Sequence, residues 1–319
     1  MYYLGVDLGG TNIAIGLVDE KLNIVFKDKV PTGASRPTSD IMDDMAELCK
    51  KVVERAGATF NKVEYVGIAA PGSVDPVNGI VRYCNNIKML NYPIAEELKK
   101  RLPVKQVYLE NDANAAALAE AKAGAGRGYS DLVMITLGTG VGGGIVIGGK
   151  LYSGFNYCGA EIGHTVIEFG GRPCTCGRLG CFEAYSSATG LINMTKEKMV
   201  EDVDSLMWEI VNDNLHNVNG LTAFKAAKRG DKAGAEVVDM YIKYLACGLT
   251  NIVNIFQPQV LCIGGGVCGE GDYLLKPLVK TIRRCEYGAA NQTNFSQIKI
   301  AELGNSAGII GAAALGLQI

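Results

Sequence analysis

The chain has 319 residues, enough for about two domains. It is 48% hydrophobic and 20% charged with a net charge of -2, which excludes a disordered chain and leaves no basic footprint for nucleic acid or an anionic membrane. Residues 1–7 lack the basic region of a secretory signal, and the apolar tail at 307–319 is shorter than the ~20 residues that span a bilayer. The ten cysteines are therefore expected to be reduced thiols of a cytoplasmic protein rather than a disulfide framework.

In chain order, residues 3–7 and 13–18 are apolar runs around Leu8-Gly9-Gly10-Thr11-Asn12, which reads as a β-hairpin. Ile41, Met45, Leu48, Cys49, Val52 and Val53 recur at helical spacing, and Gly57 closes that helix. Residues 63–69 read as a strand ending at Pro71-Gly72, 94–102 as a helix and 104–109 as a strand. Glu110-Asn111-Asp112 then leads into an Ala-rich stretch at 113–123 with very high helix propensity. Residues 132–137 form a strand, 138–144 a glycine loop and 145–147 a strand again. Leu137-Gly138-Thr139-Gly140 thus repeats Leu8-Gly9-Gly10-Thr11 at an offset of 129 positions, the mark of two related halves. Val237 to Val253 forms a helical face that stops before Pro258, and 260–263 is a strand followed by Gly264-Gly265-Gly266. The last helix, from Ser306, is apolar all round and expected to be buried. Strands alternating with helices, with no low-complexity linker, predict an α/β protein whose two domains adjoin across a cleft.

Residues 138–143 and 264–269 both satisfy G-x-G-x-x-G, but the dinucleotide fingerprint needs a helix directly after the loop within a βαβ unit. A strand follows 138–143, and no βαβ unit is evident around 264–269; a P-loop motif is absent. These features disfavour a nicotinamide oxidoreductase. Glycine hairpins can still bind phosphate, because successive backbone N–H groups point into the concavity and no Cβ blocks the approach. Asp7, beside the first hairpin, suits a hard cation such as Mg²⁺ that bridges phosphates. The alternative is that the glycines only serve tight turns.

Cys174, Cys176 and Cys181, with His164 upstream, supply three thiolates and one imidazole, a closed tetrahedral set for structural zinc. Three buried thiols and a surface histidine are the other reading, but Thr175, Gly177, Arg178 and Gly180 make no core pattern. Asp112 is by its position either a helix N-cap or a general base. Glu161 and Glu183 flank the cysteine cluster, and alone read as solvated acids.

Taken together, Asp7-Leu-Gly-Gly-Thr11, Glu110-Asn111-Asp112-Ala113-Asn114-Ala115-Ala116, 137–144, Glu161-Ile-Gly-His164 and Cys174-x-Cys176-Gly-x-x-Gly-Cys181-x-Glu183 resemble the ROK family of repressors, open reading frames and sugar kinases. Gly264-Gly265-Gly266-Val267 resembles its adenosine loop, and 161–190 is most similar to bacterial ATP-dependent glucokinases. The resemblance implies an actin-like, hexokinase-like ATPase fold with ribonuclease H-like halves. The expected small domain is 1–115 plus the C-terminal helix 305–319, and the large domain is 116–304 with the zinc loop at 164–183. It implies ATP-dependent phosphorylation of a hexose at the 6-hydroxyl, glucose first, with fructose, mannose, allose and N-acetylhexosamines as alternatives. Asp112 matches the catalytic base, and Asn111, Asp112, Glu161, His164 and Glu183 match sugar ligands, with Gly72 and Asn86 bordering them. Asp7, Gly9, Gly10, Thr11, Gly138, Thr139, Gly140, Gly264, Gly265 and Gly266 would meet ATP and Mg²⁺. His164 would give one ring nitrogen to zinc, with Cys174, Cys176 and Cys181, and turn the other to the sugar. A homodimer or homotetramer is expected. A sugar-responsive repressor of the same family is the lesser alternative, since those proteins carry a helix-turn-helix domain before the first glycine hairpin.

Overall fold

A computed structural model of the chain describes residues 1–84, 86–291 and 293–318. Two compact units emerge: residues 1–134 with 144–160 and 301–319, and residues 135–143 with 161–300. The sequence boundary at 115/116 would divide the helix at 112–123, which here lies whole in the first unit because it packs against the C-terminal helix.

The first unit opens with β1 (Tyr2–Leu8), β2 (Asn12–Asp19) and β3 (Ile24–Pro31), followed by α1 (Thr38–Arg55) and β4 (Val63–Ala70). A small antiparallel sheet, β5 (Ser73–Asp75), β6 (Ile80–Cys84) and β7 (Met89–Tyr92), precedes α2 (Ile94–Lys99), β8 (Val107–Asn111) and α3 (Asp112–Ala123). The chain passes between units within β9 (Leu132–Leu137) and β10 (Val141–Ile147), and β11 (Lys150–Leu151) returns antiparallel to β10. The second unit continues with α4 (Phe182–Ser186), α5 (Ala188–Glu201), α6 (Leu206–Ile210), α7 (Thr222–Lys228) and α8 (Lys232–Phe256). It closes with β12 (Val260–Gly264), α9 (Asp272–Cys285) and β13 (Gln297–Ile300), and α10 (Ala307–Ala314) belongs to the first unit again.

The main sheets run in the orders β3-β2-β1-β4-β8 and β11-β10-β9-β12-β13. Matched by position, the two orders are the same, which bears out the internal repeat. Strands β3 and β10 show why parts of the two main sheets went unread in advance. In β3, burial alternates residue by residue along an edge strand, so charged Lys27, Asp28 and Lys29 interrupt the apolar signal. In β10, residues 141–144 are strand, not loop: a Cβ at Gly144 would overlap that of Ala117 in α3, so glycine here answers to packing. A βαβ unit also surrounds 264–269 after all, because α9 connects β12 to the parallel β13. Among the described residues no helix is long and apolar enough to cross a membrane.

The first sheet is covered on both faces. Strand alternation sends Leu4, Val6 and Leu8 of β1 into a core with Ile41, Met45, Leu48 and Val52 of α1, the residues whose spacing marked that helix. Tyr3, Val18 and Tyr65 meet Ile309, Ile310 and Ala313 of α10 on the other face. There α10 lies on bare backbone: a Cβ at Gly5 would overlap the Ile309 carbonyl, one at Gly67 the Ala312 carbonyl, and one at Gly311 the Ala115 carbonyl of α3. Since the obstructing atoms are backbone, no rotamer change relieves the clash. Gly67→Ala is expected to cost about 3 kcal/mol or more in denaturant unfolding. An exposed glycine such as Gly269, where a Cβ would meet nothing, provides the comparison.

Candidate active site

The head of α3 is set by two adjacent residues with different tasks. Asn111, the last residue of β8, is the N-cap: its side-chain oxygen accepts hydrogen bonds from the N–H groups of Ala113 (2.9 Å) and Asn114 (3.3 Å). Its amide nitrogen donates to the Gly72 carbonyl at 3.0 Å. Gly72 has φ of 86°, and a Cβ there would overlap the Tyr83 carbonyl, so this turn admits only glycine. The capping reading considered for Asp112 thus belongs to its neighbour. Asp112 is the first helical residue, exposed, with its carboxylate accepting from the Ala113 N–H at 2.8 Å.

Asp7, near the end of β1, is paired with Ala14 and Ala69 on either side. Burial, then the charge of Asp112, pushes its carboxyl from 3.8 up to about 6. A cation there would favour the ionised carboxylate and offset both effects, so the position fits the Mg²⁺ role expected of it. The adjoining turn is closed by the Gly9 N–H donating to the Asn12 carbonyl at 3.0 Å. Thr32 braces it, donating its hydroxyl to the Gly9 carbonyl (2.6 Å) and its N–H to the Thr11 carbonyl (2.9 Å). Gly10 and Thr11 are exposed, and a Cβ on Gly10 would lie 3.4 Å from Asn86 Cβ. The first unit therefore gathers the first hairpin with Asn86, and Asp7 with Asp112.

In the second unit, one ligand atom each from His164, Cys174, Cys176 and Cys181 lies within 4.8 Å of the others. His164 Nδ1 is 3.5 Å from Cys174 Sγ, and the Cys176 and Cys181 sulfurs are 3.7 Å apart. The loop is knotted to allow this: the Cys174 N–H donates to the Arg178 carbonyl, and the Gly177 N–H donates back to the Cys174 carbonyl. Burial and the neighbouring thiols push Cys181 up to about 12, whereas the Arg178 N–H pulls Cys176 down. Three sulfurs and an imidazole at these spacings fit tetrahedral zinc. Nδ1 of His164 is the ring nitrogen that faces the thiols.

Glu183 connects this cluster to the second glycine hairpin. One carboxylate oxygen accepts from the Val141 N–H at 3.0 Å and the other from the Thr175 hydroxyl at 3.1 Å, with Cys174 Sγ at 3.6 Å. A Cβ on Gly140 would overlap that carboxylate. The hairpin's carbonyls are tied in turn to the start of α5: Gly138 accepts from the Ala188 N–H (2.8 Å) and Thr139 from the Thr189 hydroxyl (2.7 Å). Gly265 lies across the end of β9, where a Cβ would overlap the Leu137 carbonyl. The second unit thus assembles 138–140, 264–266, Glu183 and the cysteine cluster, and Glu161 sits exposed just before the turn bearing His164.

Three supporting residues escaped the sequence reading. Thr32 and Thr189 carry no local motif. Glu110 does lie within one: buried, it accepts from the Asn111 N–H (2.9 Å) and the Asn114 amide (3.1 Å), and fixes the strand end under the cap.

Two sheets of one strand order, each leading to an exposed glycine turn, and a carboxylate at the head of α3 make up the candidate site. The ROK family model matches residues 3–319, and this chain belongs to the ROK family. It is 37% identical over 313 residues to a glucokinase of Thermotoga maritima, covering 98% of this chain and 96% of that one. A ROK family glucokinase of Streptomyces griseus, solved with glucose and AMPPNP, matches with a TM-score of 0.80 at 35% identity, covering 99% of each chain. The ROK hexokinase of Thermus thermophilus matches with a TM-score of 0.82 at 31% identity, covering 98% and 97%.

The Asp7 environment has a measurable consequence. Because its folded pKa of about 6 exceeds the unfolded 3.8, its contribution to stability is full below about pH 4 and lost as pH rises through about 6. Asp7→Asn is expected to stabilise the ligand-free protein at pH 8 by ~2–3 kcal/mol. The gain should shrink towards pH 4 in a series of thermal melts, and equal melting temperatures at pH 8 would contradict it.

Proposed function

We propose that this chain transfers the γ-phosphoryl group of ATP to the 6-hydroxyl of glucose. Phosphoryl transfer asks for alignment and charge stabilisation more than for covalent chemistry. Asp112 orients the sugar hydroxyl and takes its proton. Asn111 holds the helix head beneath it and, with Glu161, His164 and Glu183, binds sugar hydroxyls; Gly72 and Asn86 border the sugar. The exposed turns at Gly9, Gly10 and Thr11, at Gly138, Thr139 and Gly140, and at Gly264, Gly265 and Gly266 offer backbone N–H groups to ATP. Mg²⁺ held by Asp7 would supply neutralisation of the phosphate charge. With this reading go a cytoplasmic location and a homodimer or homotetramer.

The observation that carries the proposal is the division of labour at residues 111 and 112. A cap one position earlier leaves a solvent-reaching carboxylate at the head of a buried helix, in a chain of a family that includes sugar kinases. An ADP-release assay over a hexose panel is expected to give glucose the highest kcat/KM. In that assay Asp112→Asn should lower kcat by ~10²–10⁴-fold while glucose still binds. Near-normal turnover would remove the base from Asp112.

Zinc held by His164, Cys174, Cys176 and Cys181 would brace the loop that carries His164, without an open position for water. One zinc per chain is expected by elemental analysis, and loss of it in Cys181→Ser. Because the braced residues bind sugar, KM for glucose should rise by ~10–100-fold while KM for ATP changes less. A fully active, metal-free variant would refute the assignment.

A further inference from the structure

On the first unit a groove of about 800 Å³ is walled by the turn between β2 and β3, the end of α3 and the segment leading into α10. Its size falls in the ~300–1,000 Å³ range of small-molecule pockets. Four of its side chains, Lys21, Lys27, Lys122 and Arg127, are cationic, against one acid, Glu302. That excess runs against the net charge of -2 of the whole chain. Among the described residues none of these four forms an ion pair, a state they share with Lys29, Lys50, Lys62, Lys88, Lys105 and Lys150 of the same unit, but here four such cations line one groove. Lys27 reaches only a hydroxyl, donating to Ser306 Oγ at 3.0 Å. The negative end of the α3 dipole accounts for Lys122 but not for the other three, which lie on other segments.

We propose that this groove binds a small phosphate-bearing metabolite of hexose-phosphate size. The cations come from two stretches of chain, 21–27 and 122–127, that wall one groove, which suits a compact anion with several oxygens. Lysines supply point charges and Arg127 a planar fork, both matched to phosphate. Buried Leu22 and Ile310, with half-buried Leu303, give the organic body an apolar floor. The site is separate from the catalytic carboxylate: Asp112 and Lys122 stand at opposite ends of α3, ~15 Å apart along the helix. One wall is also rigid. The buried Glu120 carboxylate accepts from the N–H groups of Glu302 (3.2 Å), Leu303 (2.8 Å) and Ala125 (2.8 Å), which fixes 302–303 against the end of α3.

Calorimetric titration of the intact protein, held in saturating glucose and a non-hydrolysable ATP analogue, tests this with glucose 6-phosphate, inorganic phosphate and inorganic polyphosphate as probes. Glucose 6-phosphate is expected to bind one site, more tightly than inorganic phosphate. Its affinity should fall by about tenfold or more in both Lys122→Ala/Arg127→Ala and Lys21→Ala/Lys27→Ala, with glucose turnover unchanged. Equal affinity in wild type and both variants, or no saturable binding at millimolar concentrations, overturns the site. Tighter binding of polyphosphate than of glucose 6-phosphate overturns the ligand class. The wild-type-to-variant difference is read whether or not glucose is the substrate, so it stands or falls apart from the kinase reading.

Discussion

The first unit depends on backbone packed directly against backbone. With no side chain at Gly5, Gly67 or Gly311, α10 sinks onto β1 and β4 and against α3 until carbonyls fill the space a methyl would need. Dispersion contacts at such short range are numerous and do not tolerate added volume. The same depth brings Gly308 up to the Asp7 carboxyl, where a Cβ would collide with it. An acidic side chain pressed into this seam loses water, and that is the main reason its proton is held so tightly. The ionised form of Asp7 is consequently costly to the fold, the kind of environment that strongly perturbed functional carboxylates share.

The second unit obtains order differently. Between Glu161 and Cys181 there is little regular structure, only a short 3₁₀ turn and two isolated bridges, Val166 with Cys181 and Pro173 with Leu179. A loop of this kind has few apolar contacts with which to offset its conformational entropy. Converging thiols and an imidazole give it a reason to fold around a cation. Glu183 then extends that order to the hairpin at Gly140 and Val141, so a loop without a core is tied to both the thiol–imidazole cluster and a glycine turn.

What was legible in the sequence followed from periodicity and from rare residue types. Both glycine hairpins, α1, α8 and the cysteine–histidine set stand out because few alternatives produce those patterns. The small sheet β5–β7 was invisible, since strands of three to five residues that follow Pro71-Gly72 and are interrupted by Asn78-Gly79 resemble a run of turns. The cap was misplaced by one residue, because Asn and Asp cap almost equally well and only tertiary contact, here with the Gly72 carbonyl, separates them. Glycines were overread as loops where they serve close packing, as at Gly144. Thr32 and Thr189 could not be foreseen, because their value lies in which carbonyl they reach across the fold.

The shared strand order gives each position in the opening β-hairpin a counterpart 129 residues later, and the correspondence is informative where it breaks. Asp7 corresponds to Thr136, an ionisable acid to a neutral hydroxyl. The second corner receives its acid from elsewhere: Glu183 of α4 brings its carboxylate to the Val141 N–H. The twin corners are thus told apart by which element carries the carboxylate and by the exchange of Gly10-Thr11 for Thr139-Gly140.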